Sequence, residues 1–401
     1  MGTLSYTDLV KACSAGGSSV LTSITALEAA VGQHGSVAPA KFVNRSEPVF
    51  AFEDRFIDGE SKRTVLIDSK QSQLNRAEAA LVQAINEGNE TLNRIPRIEV
   101  SYNDSKVFSD LELPHRFTDG HIRAGSIDGK PTTENDLYIS ARNSTPRNMK
   151  PLLNLAPSAL IFGGWDASRK SDQVKLRSAL VGEIIGVLAN QNRAESYSRR
   201  GGARVDPVAA SVKMTGTDLK ETALVQSHEL SQKTRSKLDD QVKKAKKGET
   251  VSASPLGLGA IPPSLESLGG VACQRIIRSW ALSFAALRQL RFGGTAEQDI
   301  AARALLAALG LAAMARAESE LNIRANCDLV EQGKPVVTLD LRYGEKRELE
   351  PISVEAADEL LKEAIAKASA CGVADWEGQI LHVTGNPVVL RGATEDDAEA
   401  E

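Results

Sequence analysis

The sequence predicts an α+β fold on the βαββαβ plan, the split-βαβ or ferredoxin-like arrangement. Three observations predict it. Thr64-Val65-Leu66-Ile67 is β-branched and aliphatic and runs into polar Asp68-Ser69-Lys70-Gln71-Ser72-Gln73; Leu74, Ala77, Ala80, Leu81, Ala84 and Ile85 follow at helical spacing. That is a strand turning into an amphipathic helix. The pattern recurs further on. Apolar 157–162 reads as a strand and meets Gly163-Gly164-Trp165-Asp166 and the basic loop Ser168-Arg169-Lys170-Ser171. Residues 174–188 then place Leu176, Leu180, Ile184 and Leu188 on one helical stripe. Finally, further strands separate and follow these two units: Arg97-Ile98-Glu99-Val100-Ser101-Tyr102 alternates, and Val336-Val337-Thr338-Leu339-Asp340-Leu341 is a second apolar run.

Taken in order, residues 1–45 carry a helical pattern through Val20, Ile24, Leu27, Ala30 and Val31. Pro48-Val49-Phe50-Ala51-Phe52 reads as a strand. Residues 103–150 are polar and turn-rich and read as an inserted loop that encloses the compact segment LPHRFTDGHIR, 113–123. Residues 193–270 read as a flexible basic arm, with Arg199-Arg200-Gly201-Gly202-Ala203-Arg204, then Lys243-Lys244-Ala245-Lys246-Lys247, then a Gly, Pro and Ser-rich stretch. Residues 271–291 and 296–321 are predicted as two helices joined by Phe292-Gly293-Gly294, the second Ala-rich and suited to close packing. Ser353 is a candidate N-cap for an acidic helix over 353–370, one or two short strands follow at 380–389, and 391–401 is an acidic tail. The main body therefore comprises 46–192 and 271–390, and no internal repeat is visible.

The chain has 401 residues, enough for two domains or for one with large insertions, and its 42% hydrophobic and 25% charged residues mark it as globular. No signal core opens the chain, Tyr6 stands where a myristoylation motif wants Ser or Thr, and no apolar run is read as a membrane span, so a cytoplasmic protein without a membrane partner is expected. Cys13, Cys273, Cys327 and Cys371 are scattered without metal-ligand spacing, which fits a reduced compartment. The net charge of -4 hides an asymmetry: residues 142–213 hold 12 Lys and Arg against 5 Asp and Glu, and residues 345–401 hold 5 against 14. A basic middle and an acidic end fit a locally bound polyanion, and equally head-to-tail contact between copies.

The candidate site residues follow from donor chemistry. Ser69, Lys70, Gln71, Gln73, Asn75 and Arg76 at the first junction suit holding a polyanion or a polar base edge, against the plainer reading of a solvated first helical turn. Gly163-Gly164 presents backbone amides to a phosphate or simply makes a tight turn that tucks Trp165 under the sheet; Arg169, Lys170, Lys175 and Arg177 lie close by in sequence. There is no GxxxxGK[ST] or GxGxxG, so no nucleotide cofactor is expected. His115 and His121 with Asp119 between them are candidates for acid–base or metal chemistry, but a structural or RNA-contacting His115-Arg116 pair is the stronger reading and no metal is expected. Arg199, Arg200 and Arg204 form an RGG-like segment. Aromatics are few, with 9 Phe, 5 Tyr and 3 Trp, and the aromatic consensus of a base-reading RRM is absent. Bound RNA would therefore be held chiefly through phosphate and sugar.

LIDSKQSQLNRAEAAL (66–81), LPHRFTDGHIR (113–123), ALIFGGWD (159–166) and RSALVGEIIG (177–186), in this order and spacing, resemble the type I-G (formerly type I-U) CRISPR Cascade backbone subunit, the RAMP-superfamily protein of the seventh Cas family. The resemblance spans about 40–210 and extends into 271–390. It implies an RRM-like palm with inserted thumb and finger segments. It also implies copies stacked head to tail along one CRISPR RNA that pairs with a target DNA strand, alongside other Cascade subunits and a separate helicase–nuclease. On that resemblance the chain is non-catalytic and Ser69–Arg76, His115-Arg116 and Arg169–Arg177 contact the guide. The alternative within the same superfamily is an endoribonuclease that cleaves guide or target RNA, for which Asp68, His115, Asp119 and His121 are the candidate groups. A scaffold oligomer without nucleic acid is the third reading.

Overall fold

The computed structural model describes residues 2–44, 47–103, 106–169, 174–191, 198–202, 212–245, 249–259 and 264–391. Its elements form two units, 1–196 with 271–392, and 197–270 with 393–401.

In the first unit the elements are α1 (Tyr6–Cys13), β1 (Val20–Ala29), β2 (Phe52–Ile57), β3 (Glu60–Asp68), α2 (Lys70–Asn86), β4 (Arg97–Ser101), α3 (Ser158–Phe162), β5 (Gly164–Trp165), β6 (Lys175–Leu176), β7 (Leu180–Leu188), β8 (Cys273–Ser283), α4 (Ala296–Glu320), β9 (Val336–Asp340), β10 (Lys346–Leu349), α5 (Val354–Ala370) and β11 (Ile380–Thr384). The main antiparallel sheet runs β10-β9-β1-β8-β7-β3-β2, with the short strand Leu329–Glu331 also paired to β1. Its middle, β9-β1-β8-β7, is the fourth, first, third and second strand of a βαββαβ unit whose helices are α2 and α4. The α+β, RRM-like fold is therefore present, widened by the β2–β3 hairpin on one side and β10 on the other.

Different segments from those expected supply that plan. β1 lies in a stretch expected to be helical, β7 occupies the expected helix 174–188, β8 occupies most of the expected helix 271–291, and the expected strand 157–162 is the short helix α3. The cause is shared. Residues four apart lie on one face of a helix and also on one face of a strand, so Leu180, Ile184 and Leu188 satisfy both periods. β-branched content decides for the strand: Val20, Thr22, Ile24 and Thr25 in β1, and Val181, Ile184, Ile185 and Val187 in β7. In β1, Leu21, Ser23, Thr25, Leu27 and Ala29 are buried on the helix-covered face. In β8, Ile276, Arg278, Trp280 and Leu282 do the same. Residues 157–162 are short and, Ser158 apart, apolar, a pattern without period; Pro157 opens a helical turn and Gly163, at φ 90°, ends it.

Two glycines, Gly182 and Gly186, let β7 lie close against its neighbours. Gly182 is paired with Trp280, and a β-carbon there would stand 2.5 Å from the indole ring. Gly182→Ala is expected to destabilise the chain by about 1–3 kcal/mol through overpacking, read from the midpoint of urea unfolding; an unchanged midpoint would show that the indole has room to move.

The expected helices α2, α4 and α5 form where their caps lie. Ser69 accepts from the Ser72 amide, Thr295 and Gln298 make a reciprocal capping box, and Ser353 accepts from the Ala356 amide. α4 is buried along nearly its whole length and packs against α1, α2 and α5. Among the described residues it is the one helix long and apolar enough to cross a bilayer, contrary to the expectation that no run approaches that length, and 94% of its apolar window is buried inside the protein. Arg316 of α4 forms two bonds to Asp358 of α5, at 2.8 and 2.7 Å, which satisfy a guanidinium that the helix packing removes from water.

Residues 103–150, expected as a loop, carry short helices and strands whose Phe117, Ile122, Tyr138 and Ala141 join the main core. β4 and β11 pair in parallel at the centre of a second sheet. Asp110, just before this loop's compact segment, is fully buried and accepts from the Ile98 amide (3.0 Å) and the Ser158 hydroxyl (2.7 Å). Burial pushes its carboxyl from the usual 3.8 up to about 6, against the pull of those two donors. A raised folded pKa means the folded chain holds the proton more tightly than the unfolded chain does. This group's stabilising contribution is thus complete below pH 3.8 and is lost as pH rises through about 6. Asp110→Asn is expected to remove a pH dependence on the order of 3 kcal/mol across that window, measured as the difference in unfolding free energy between wild type and variant at pH 4 and pH 7. Parallel pH profiles for the two chains would contradict it.

The second unit contains paired strands Lys213–Thr215 and Thr250–Ser252 and helices Gly216–Val225 and Gln232–Lys244. Leu219, Leu238, Ala253 and Leu256 form its own small core. Strands Ser198–Gly202 and Ser264–Gly270 also pair. The segment expected as a flexible arm thus includes folded structure over 212–245 and 249–259.

Candidate nucleic-acid interface

The β3–α2 junction forms as the sequence implies, but its donors divide. Lys70, Gln71 and Asn75 are exposed, Ser69 caps the helix and Arg76 is half-buried. Gln73 is buried, and its amide donates to Asp68 at 2.5 Å. Asp68 is wholly buried and its carboxyl is pushed upward by that burial. Gln73 is therefore turned into the protein. Lys70 lies 3.8 Å from Glu183, which Arg55 also holds through two bonds at 2.5 and 3.1 Å. The Arg55 hydrogen bonds hold the Glu183 carboxyl below its usual range, so an anionic group sits on the uncovered face of the sheet.

That face has no stacking surface at its centre. β1 offers Val20, Thr22, Ile24 and Ala26, and the facing β8 residues are Ser283, Ala281, Ser279 and Ile277. Aliphatic and hydroxyl side chains stand where base-reading RRM sheets carry aromatics.

His115 and Arg116 separate in role. His115 is exposed. Arg116, at φ 50°, grips the buried Glu78 of α2 through Nε (2.5 Å) and Nη2 (2.7 Å), and donates to the Gly163 carbonyl at 3.0 Å. Its guanidinium lies 5.9 Å from the Phe162 ring. Arg116 thus locks α2 to the turn after α3. Asp119 is buried and caps a short helix, accepting from the His115 and His121 amides. His121 Nδ1 is 2.6 Å from the Tyr102 hydroxyl. The carboxylate considered for RNA cleavage is in this way taken by backbone donors.

Cations converge instead on the β5–β6 hairpin. Gly163 needs its positive φ, and a β-carbon there would stand 2.8 Å from the Ser178 hydroxyl, so the Gly-Gly is a tight turn. The turn swings Trp165 outward, not under the sheet: it is 53% exposed, with the Lys175 ammonium 5.1 Å from its ring centroid. Next to it, buried Asp166 is held by Arg142 at 2.9 and 2.7 Å. Arg123 donates to Ser168, and Arg169 donates to the Arg142 carbonyl and Asn143. Arg177 is exposed; with Lys175 it lines a cavity of about 420 Å³ whose walls include Met149, Leu160, Leu287 and Leu290. Lys170 and Arg204 lie outside the described residues, and so do the side chains of Arg199 and Arg200, whose backbone is in a paired strand.

The structure so brings Arg169, Lys175 and Arg177 of the expected segment to one hairpin region, adds Arg123, Arg142 and an exposed Trp165, and keeps Gln73 and Arg116 for internal bonds. Reading 174–188 as one helix hid the hairpin pairing of Trp165 with Lys175. Among the described residues no group of His, Cys, Asp and Glu is arranged to hold a metal ion, and all four cysteines are free.

Residues 21–191 match the family model described as CRISPR-associated protein GSU0053 (Cas_GSU0053). The matched segment runs from β1 through β7 and contains both the β3–α2 junction and the β5–β6 hairpin. It supports a CRISPR-associated protein with a role in CRISPR defence. A search of the curated proteins found no match.

Proposed function

We propose, with the CRISPR-associated match over 21–191 as premise, that this chain is a non-catalytic CRISPR RNA-binding backbone subunit of a type I-G Cascade surveillance complex. Copies stack head to tail along one guide and present it to a complementary DNA strand, with other subunits and a helicase–nuclease completing the complex in the cytoplasm. The observation that carries this reading is the cluster of Arg123, Arg169, Lys175 and Arg177 at the β5–β6 hairpin, on an RRM-like unit whose sheet carries no aromatic at the centre of its uncovered face. Such a surface holds phosphate and ribose without reading bases, which suits guides of any sequence. The exposed Lys70, Gln71 and Asn75, with His115 and the arm residues Arg199, Arg200 and Arg204, are further contacts in this proposal.

The test is equilibrium binding of two single-stranded RNAs of equal length and unrelated sequence over a salt series. The proposal expects equal affinities, and log Kd changing linearly with log salt with a slope of about 0.7 per phosphate contacted. A chain that leaves both RNAs unbound at low salt refutes it.

A further inference from the structure

We propose that Trp165 is a stacking platform for one unpaired nucleobase of the strand this chain holds; the inference rests on the nucleic-acid-binding reading above and gives it a base contact. The chain has three tryptophans. Trp280 and Trp376 are core residues, 1% and 0% exposed, and the Trp376 indole donates to the Leu153 carbonyl. Trp165 alone among them faces water, at 53%. Leaving an indole half in water forgoes burial that the fold uses at its other two tryptophans.

Its setting selects the occupant. Among the described residues two other aromatics are more exposed, Phe56 and Tyr343; Phe56 lies between Asp54 and Asp58, and Tyr343 has only Arg342, 6.0 Å from its ring, at a hairpin tip outside the basic middle of the chain. Trp165 instead has the Lys175 ammonium against its ring and Arg123, Arg169 and Arg177 in the surrounding segments. An aromatic face set among cations matches a base with its phosphates: the ring takes the π-face and the cations take the charge. The support beneath it is fixed. The backbone carbonyl of Trp165 accepts from the Thr118 hydroxyl, Asp166 is locked by Arg142, and Trp165 is paired with Lys175 across the hairpin. A platform held in place loses little freedom when a base lands on it. The sheet centre offers no such face, so a base contact has to be made away from it.

The experiment uses the full chain and single-stranded RNA and DNA of one sequence, together with an RNA carrying abasic positions. Intrinsic fluorescence is expected to be quenched on binding, because the exposed indole is the one a base reaches. Trp165→Leu is expected to abolish the quench and to weaken binding of base-bearing strand by about 5- to 150-fold, while leaving affinity for the abasic strand and the salt slope unchanged. Trp165→Phe should retain most of the affinity. Whichever of RNA and DNA loses more affinity in Trp165→Leu is the strand the platform serves. If wild type binds RNA with the expected salt slope and Trp165→Leu binds equally well, the platform is refuted and the RNA reading stands. If Trp165→Leu alters self-association and not strand affinity, the residue is a protein contact and the inference is wrong. Failure of wild type to bind any strand overturns both.

Discussion

Arg116→Ala is expected to cost about 3–5 kcal/mol of stability, which places it among the most damaging single substitutions in the chain. The side chain sits in the segment that the sequence offers as a guide contact, yet three of its bonds run to the protein: two to Glu78 and one to the Gly163 carbonyl. Glu78 is 4% exposed as a side chain, and burial already pushes its carboxyl upward while Arg116 pulls it down. Without the guanidinium, Glu78 is a buried acid with no counter-charge. It either takes up a proton or opens the contact between α2 and the turn after α3. The double variant Glu78→Ala, Arg116→Ala should recover much of the loss, because no charge is then stranded. Urea unfolding of the four chains measures this. Should Arg116→Ala keep its unfolding midpoint and lose RNA affinity instead, Arg116 is a guide contact and the ion pair is incidental.

Lys175→Gln with Arg177→Gln is expected to act in the opposite way, leaving the unfolding midpoint in place and weakening RNA. Both side chains are exposed, and the Lys175 ammonium stands over an indole and makes no ion pair among the described residues. Removing two phosphate contacts should lower the slope of log Kd against log salt by about 1.4, and weaken binding about 25-fold near 0.1 M salt, equally for RNAs of any sequence. Lys362→Gln on the acidic helix α5 serves as the control and should change neither quantity. A slope that stays at its wild-type value in the double variant moves the phosphate path away from the hairpin.

The contrast between these two cationic sites explains what the sequence could and could not disclose. The β3–α2 junction was legible because the period changes from two to 3.6 within a few residues, and Ser69 marks the boundary. α4 was legible as an Ala-rich run after Phe292-Gly293-Gly294, and α5 through its cap at Ser353. β1, β7 and β8 were not, since apolar residues four apart satisfy both periods and only β-branching separates them. The βαββαβ plan was nevertheless reached, although β1 supplies its first strand and β3 is an outlying addition. Arg116 could not be told from a surface arginine because its partner is 38 residues away along the chain. Trp165 was read as tucked away because its exposure depends on a hairpin that closes only through Lys175. Charge counting points to the same stretch in which the structure gathers these cations, since Arg169, Lys175 and Arg177 all fall in the basic middle of the chain. Counting charge is insensitive to secondary structure, so the differences in the strand assignments leave it unchanged.

The central claim is that many copies of this chain share one guide. It is tested most directly by expressing the full chain with a CRISPR array and measuring the mass and nucleic-acid content of the purified particle. The account predicts an absorbance ratio at 260 and 280 nm dominated by RNA, and a mass corresponding to several copies on a single guide. Recovery of the chain as a monomer free of nucleic acid would contradict it.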